Sequence, residues 1–213
     1  PPYSIKAWDR KSFANVPYGR NLWGLPPQGC ADYAFQQHIQ KSLDEHNGRS
    51  ISLWPHGVLF RDKEADLRKK MIEEDLVECV IGLGPNLFYN SPMEACLLIT
   101  KTNKEESKKG KILFINAVDE VKQEKTMGIL EEIHINKIFK AYLDFTNKQN
   151  FSVLLTNEEV LVNNGNMSIS LYVRTQELSM ETVVNFEEVY DSWNDSSKQL
   201  KKSMKQFFEI LDN

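Results

Sequence analysis

The chain has 213 residues, 41% of them hydrophobic and 26% charged, with a formal net charge of −4. That is the composition of one globular domain with an appendage, able to bury a core. It excludes binding to nucleic acid by bulk positive charge alone, and no apolar run is long enough to span a membrane. Cys30, Cys79 and Cys96 are odd in number and lie far apart, with no Cys-x-x-Cys. This predicts a reducing, cytoplasmic setting, no structural zinc and no other metal site.

Residues 4–30 are broken by Pro17, Gly19, Gly24, Pro26, Pro27 and Gly29, yet carry Trp8, Phe13, Tyr18 and Trp23. A long aromatic loop is more often functional than a spacer. Lys6, Arg10, Lys11 and Arg20 stand here against Asp9 alone, whereas residues 111–213 hold 11 basic and 16 acidic side chains. Such asymmetry suits a face that meets DNA, or is simple scatter.

The three- and four-residue spacing of Ala31, Ala34, Phe35, His38, Ile39 and Leu43 predicts a helix over 31–47, with His38 on its inner face. Asp32 complements the dipole at its start. A strand is expected at 50–54, broken by Pro55-His56-Gly57, where His56 reads as a hydrogen-bonded turn residue. Asp62 starts a helix to about Leu76. Strands follow at 77–83, 95–100 and 111–117, the last two joined by a polar stretch, 101–110, that reads as an exposed hairpin loop. A helix over 128–147 and short strands near 153–155 and 169–173 complete an α/β pattern with a mostly parallel sheet and an antiparallel edge.

The tail carries Phe186, Tyr190, Trp193, Ser197, Leu200, Met204, Phe207 and Leu211 at alternating spacings of four and three. That is a heptad seam interrupted only by Ser197. It either folds back on its own core or pairs with a helix of another subunit. The expected division is therefore 1–175, an α/β domain, and 176–213, a helical tail for assembly.

Several segments in order carry a resemblance. Pro1-Pro2-Tyr3-Ser4 resembles a catalytic Asn-Pro-Pro-Tyr motif without its first residue. Gly24-Leu25-Pro26-Pro27 and the helix start Ala31-Asp32-Tyr33-Ala34-Phe35-Gln36-Gln37-His38 follow. Then come Gly48-Arg49, Pro55-His56-Gly57-Val58-Leu59-Phe60-Arg61, Val80-Ile81-Gly82-Leu83-Gly84-Pro85-Asn86-Leu87-Phe88-Tyr89, Phe114-Ile115-Asn116-Ala117 and Glu131-Glu132-Ile133-His134. Together they resemble the modification subunit of type I restriction-modification systems, an adenine-N6 DNA methyltransferase. Pro92-Met93-Glu94-Ala95 departs from that family's commoner Gly-Ile-Pro-Thr.

The resemblance implies the C-terminal half of a Rossmann-like methyltransferase sheet, with a long C-terminal helix. Pro1, Pro2 and Tyr3 are the implied catalytic residues, and Phe88 and Tyr89 the implied target-base pocket. Tyr3 would stack on a base flipped out of the duplex, or belongs to a disordered terminus. Phe88 would grip that base from across the pocket, or packs in the core. Lys6, Arg10 and Lys11 would meet DNA.

S-adenosylmethionine is the implied cofactor of the full subunit, and none is expected on this chain alone, because the glycine-rich half that would hold it is not in the sequence. Implied partners are DNA and the specificity and restriction subunits. Self-association is expected through a sheet edge left open at residues 50–54 or through the tail. Alternative readings are an inactive assembly module derived from that enzyme, or an unrelated nucleotide-binding α/β enzyme, for which the glycine fingerprint is lacking.

Overall fold

The structure is a computed structural model; it describes residues 2–3, 5–88, 91–125, 127–173 and 186–211, with the backbone alone for 186–189, 192 and 205–211. Two compact units are present, Pro1–Thr175 and Gln176–Asn213.

In the first unit a short helix α1 (Arg10–Phe13) lies in the aromatic loop and α2 spans Asp32–Lys41. Next come β1 (Arg49–Pro55), α3 (Ala65–Glu73), β2 (Val77–Leu83), β3 (Ala95–Lys101) and β4 (Lys111–Ala117). A small ribbon of β5 (Lys122–Gln123) and β6 (Gly128–Ile129) leads to α4 (Glu132–Asp144). The strand β7 (Ser152–Thr156) and the short helices α5 (Asn157–Val162) and α6 (Ile169–Tyr172) close the unit.

The main sheet has the order β1-β3-β2-β4-β7. Only β2–β4 is parallel; β1–β3, β3–β2 and β4–β7 are antiparallel. The architecture is the expected α/β, but within this chain the sheet is mixed rather than mostly parallel.

The expected hairpin of residues 95–117 does not form, because β2 inserts between its two strands. Every residue of β2 is buried, so this strand needs neighbours on both edges as well as cover on both faces. The connection from β3 to β4 therefore crosses the end of β2, and it is pinned there. Lys104, 4% exposed, donates from Nζ to Asp75 Oδ1 at 2.6 Å and to the Lys111 carbonyl at 2.8 Å.

Period-two alternation sends side chains to two cores. Trp54, Val80, Cys96, Leu98, Ile112 and Phe114 join Tyr33 of α2 and Leu67, Met71 and Ile72 of α3 on one face. Cys79, Ile81, Leu83, Ile99, Leu113 and Ile115 meet Ile138, Ala141 and Phe145 on the other. The segment expected as a strand near 169–173 is instead the single turn of α6. Val173 N–H donates to the Ile169 carbonyl at 2.8 Å, and Tyr172 lays its ring 4.7 Å from that of Phe114. Its alternating apolar pattern is that of a strand, but four residues capping a core satisfy the same pattern.

The helix expected over 128–147 is shorter, because a reciprocal capping box between Glu131 and His134 starts it late and Phe145 at φ 49° ends it. His38, expected to face inward, is exposed and lies 3.5 Å from the Arg20 guanidinium.

The strand β1 ends the sheet, with Ile51 62% exposed. Among the described residues no strand lies beside its outer N–H and C=O groups, which are a template for pairing. The apolar face continues from Ile51 into a groove of about 370 Å³ between the sheet and α4, lined by Leu97, Ile99, Ile135 and Phe139 among others. Concentration-dependent self-association is the expected result in sedimentation velocity, suppressed by Ile51→Lys. A wild-type chain that stays monomeric at high concentration would count against it.

In the second unit α7 runs Phe186–Leu211, the 26 residues of the seam. Tyr190, Trp193, Leu200 and Met204 are all at least half exposed, and the Tyr190 and Trp193 rings lie 6.1 Å apart. Phe186, Phe207 and Leu211 lie outside the residues whose side chains are described. Among the described residues no helix is long and apolar enough to cross a membrane.

Candidate functional site

A cavity of about 290 Å³ opens at the end of β1 and the start of β3, lined by Tyr3, Leu53, Pro55, Phe88, Ser91, Met93, Glu94 and Ala95. It brings together two of the residues singled out from the sequence, Tyr3 and Phe88. Pro2 is exposed beside Tyr3. Pro1 and Tyr89 lie outside the described residues.

Tyr3 is 44% exposed and rests near Trp54, with ring centroids 6.1 Å apart and planes tilted by 47°. Burial is the first cause that raises its phenol pKa, followed by the thiol of Cys96 and the carboxylate of Asp32, so the hydroxyl stays protonated at neutral pH.

Trp54 is 1% exposed, and its indole N–H donates to Ser52 Oγ at 2.8 Å and to Gln36 Oε1 at 3.1 Å. The platform beneath Tyr3 is thus locked by α2. Gln36 escaped sequence reading because buried glutamines have no periodic signature; it is one of four buried polar residues of α2, with Asp32, Gln37 and Gln40. Gln37 does similar service for the aromatic loop. Its Oε1 accepts from Trp23 N–H at 2.7 Å and its Nε2 donates to the Gly24 carbonyl at 3.1 Å.

The opposite wall is the loop after β2. Gly84 begins it, where a Cβ would lie 2.5 Å from the Val118 carbonyl oxygen, so only glycine lets the chain pass. Asn86 turns it at φ 59°, its carbonyl accepting from Gly128 N–H at 2.8 Å. Phe88 follows, half-buried and packed at the edge of the second core, and Ser91 N–H donates to its carbonyl at 3.0 Å. Phe88 is therefore both a core residue and a wall of the cavity.

His56 fastens the rim. Its Nε2 lies 3.0 Å from the Ala95 carbonyl, which fixes that nitrogen as the donor, and Nδ1 lies 3.8 Å from Glu94 Oε2. Glu94, Ser91 and Met93 line the cavity but were not named from the sequence as pocket residues. Met93 and Glu94 stand in the segment where this chain departs from its family's commoner pattern, and Ser91 immediately precedes it.

Of the three basic residues expected to meet DNA, Lys6 and Lys11 are exposed. Arg10 is partly buried and donates from Nε to the Pro26 carbonyl at 2.7 Å, which closes the base of the aromatic loop.

Beyond the cavity, Cys30, Asp32 and Glu64 bring a thiol and two carboxylates within 4.8 Å of one another, a cluster whose sequence spacing gave no warning. Arg61 lies among them, with Nη2 2.5 Å from Asp32 and Nε 2.6 Å from Glu64. Burial, then the Asp32 hydrogen bond, pushes the Cys30 thiol up to about 12. One guanidinium already pairs with both carboxylates and the thiol is held protonated, so the group is an ion-paired clasp between the start of α2 and the turn that leads into α3. Asp32 is buried in it rather than serving the helix dipole alone.

The profile of the N-6 DNA Methylase family matches residues 1–181, and the chain belongs to that family. It is 34% identical over 200 residues to the type I restriction enzyme MjaVIII methylase subunit of Methanocaldococcus jannaschii, covering 91% of this chain and 34% of that protein. It is 28% identical over 222 residues to the MpnII methylase subunit of Mycoplasma pneumoniae, covering 100% of this chain and 40% of the relative.

Among solved structures, the type I restriction-modification methyltransferase subunit from Streptococcus thermophilus superposes with a TM-score of 0.74 at 34% identity, over 81% of this chain and 36% of that one. The EcoKI M protein, at 12% identity and a TM-score of 0.51, shares the fold over 64% of this chain and 36% of that one. The chain spans about a third of the length of these relatives.

Methyltransferases of this family use S-adenosylmethionine. The turn after β2 does not fit that group. The glycine-bearing turn after β2 leads into Leu87 and Phe88, not into the N-terminus of a helix that would receive the cofactor.

Proposed function

We propose that this chain forms the target-base side of a type I DNA adenine-N6 methyltransferase, and that its cavity receives an adenine flipped out of the duplex. The observation that carries the reading is that Tyr3 and Phe88, from distant parts of the sequence, wall one cavity with Trp54 behind Tyr3. A flipped base loses its stacking partners, and an aromatic face restores part of that energy. Phe88 bounds the base from the facing loop.

Adenine N6 is a poor nucleophile because its lone pair is delocalised into the ring. Acceptors held rigidly at the amino group draw density toward nitrogen, and prolines fix such a carbonyl by locking φ. In this reading Pro1 and Pro2 supply that stiffness, Tyr3 supplies the stack, and the chain alone holds no S-adenosylmethionine. Lys6 and Lys11 meet the phosphates.

The exposed seam of Tyr190, Trp193, Leu200 and Met204 docks on helices of a specificity subunit, since a four-three stripe buries well only against another helix. That subunit, with the restriction subunit, completes the assembly.

The test places 2-aminopurine at the target position of DNA bound by a full-length subunit carrying this segment. Tyr3→Ala is expected to weaken base capture and the methylation rate by about 1–3 kcal/mol, the scale of one base–aromatic stack, with Tyr3→Phe near wild type. Unchanged capture and rate in Tyr3→Ala would remove Tyr3 from this role.

A further inference from the structure

The aromatic loop presents a second ring that the cavity does not use. Tyr18 is 85% exposed, more than any other aromatic side chain among the described residues. It stands in Pro17-Tyr18-Gly19 at φ 66° and ψ 19°, a left-handed conformation that a tyrosine rarely adopts. Local bonds hold it there. Arg20 Nε donates to the Pro17 carbonyl at 3.1 Å, and the same guanidinium stands 5.9 Å from the Tyr18 ring centre.

The loop beneath is firmly footed. Trp23, 1% exposed, donates its indole N–H to Glu74 Oε2 at 2.9 Å, and its carbonyl accepts from Lys70 Nζ at 2.8 Å. Trp8 and Gln28 exchange two hydrogen bonds of 3.0 Å.

A fixed tip that holds an aromatic ring in water is poor for stability and well suited to stacking. Its charge selects the partner. Arg10, Lys11 and Arg20 stand in residues 10–31 with no aspartate or glutamate, although the whole chain carries −4. Cations beside an open aromatic face match a phosphate backbone with an accessible base.

We propose that Tyr18 is a DNA-stacking residue, its ring against an unpaired base while Arg20 and Lys11 hold the flanking phosphates. The proposal rests on the reading of this chain as a DNA methyltransferase segment, but not on the occupancy of the Tyr3 cavity.

The chain itself is titrated with fluorescein-labelled DNA carrying a short single-stranded gap, and is photo-crosslinked to the same DNA with 5-iodouracil in the gap. Tyr18→Ala is expected to weaken gapped-DNA binding roughly tenfold, with the salt dependence unchanged and Tyr18→Phe near wild type. Arg20→Gln should instead lower the salt slope by roughly one. The crosslink should map to the tryptic peptide Ser12–Arg20 and vanish in Tyr18→Ala. Tyr18→Asn, which tolerates the left-handed backbone, should raise the melting temperature while weakening DNA binding, a split that a purely structural residue would not give.

Undiminished binding by Tyr18→Ala, or a crosslink elsewhere, overturns the proposal. If the Tyr18 crosslink persists while Tyr3→Ala leaves base capture unchanged, the cavity reading fails and this one stands. A wild-type chain that binds no DNA overturns this proposal and leaves the cavity reading to its own test.

Discussion

Trp54→Ala is expected to destabilise the chain by about 3–5 kcal/mol, the usual range for deleting a fully buried large aromatic side chain. The ring is 1% exposed and fills the first core between β1 and α2. Its removal leaves a cavity and takes the indole donor from Ser52 Oγ and Gln36 Oε1, the latter keeping only the Ser52 hydroxyl. The same change takes away the platform beside Tyr3, so base capture should fall even where the variant is folded. Trp54→Phe separates the two effects: it keeps an aromatic platform but removes the indole donor, leaving Gln36 Oε1 only the Ser52 hydroxyl at 3.2 Å, and should cost about 0.5–1.5 kcal/mol for the lost hydrogen bond. Urea unfolding measures the first effect and 2-aminopurine fluorescence the second. A Trp54→Ala chain within about 1 kcal/mol of wild type would show that the ring is not an anchor of this core.

Arg61→Met is expected to be comparably damaging, at about 3–5 kcal/mol, because it strands buried carboxylates without their counter-charge. Asp32 and Glu64 have side chains 1% and 0% exposed, whereas Arg61 reaches solvent at 29%. Burial raises the Glu64 pKa above its ordinary value, and the hydrogen bond from Arg61 opposes that rise. A carboxyl whose pKa is higher in the folded state contributes stability that is complete below its unfolded pKa. The contribution is lost as pH rises through the folded pKa.

Stability of the wild type should therefore contain a component that falls upward from pH ~4.3, the ordinary glutamate value. Glu64→Gln should remove this component. Arg61→Met should widen the window, because the influence that lowers the Glu64 pKa is gone. Urea midpoints measured across that range in the three proteins check it. Parallel pH profiles for wild type and Glu64→Gln would sink the argument.

The elements were legible where the physics is local. The seam from Phe186 to Leu211 predicts α7 because a helix repeats its face every three or four residues. Strands β1, β2, β3 and β4 are visible as short apolar runs bounded by Pro, Gly and charged residues. What the sequence concealed was neighbourhood. Nothing in residues 95–117 says that β2 separates β3 from β4, since the pairing depends on which strand most needs burial on both edges. Tyr3 and Phe88 could be named because each sits in a motif, but Ser91, Met93 and Glu94 became pocket residues only once β3 was placed beside β1. The Cys30, Asp32 and Glu64 cluster was illegible for the same reason, since α3 must fold onto α2 before thiol and carboxylates meet.

The three cysteines give the molecule a built-in set of chemical clocks. The reactive species toward thiol reagents is the thiolate. Burial pushes Cys30 and Cys96 up to about 12 and Cys79 well above its usual value. In the native chain all three are close to inert, so each is modified only when its surroundings open. Cys96 belongs to the core against α2 and α3, Cys79 to the core against α4, and Cys30 to the foot of the aromatic loop beside the Arg61 clasp. Alkylation rates at the three positions would therefore time, separately and without any introduced label, the breathing of either face of the sheet and the lifting of the loop.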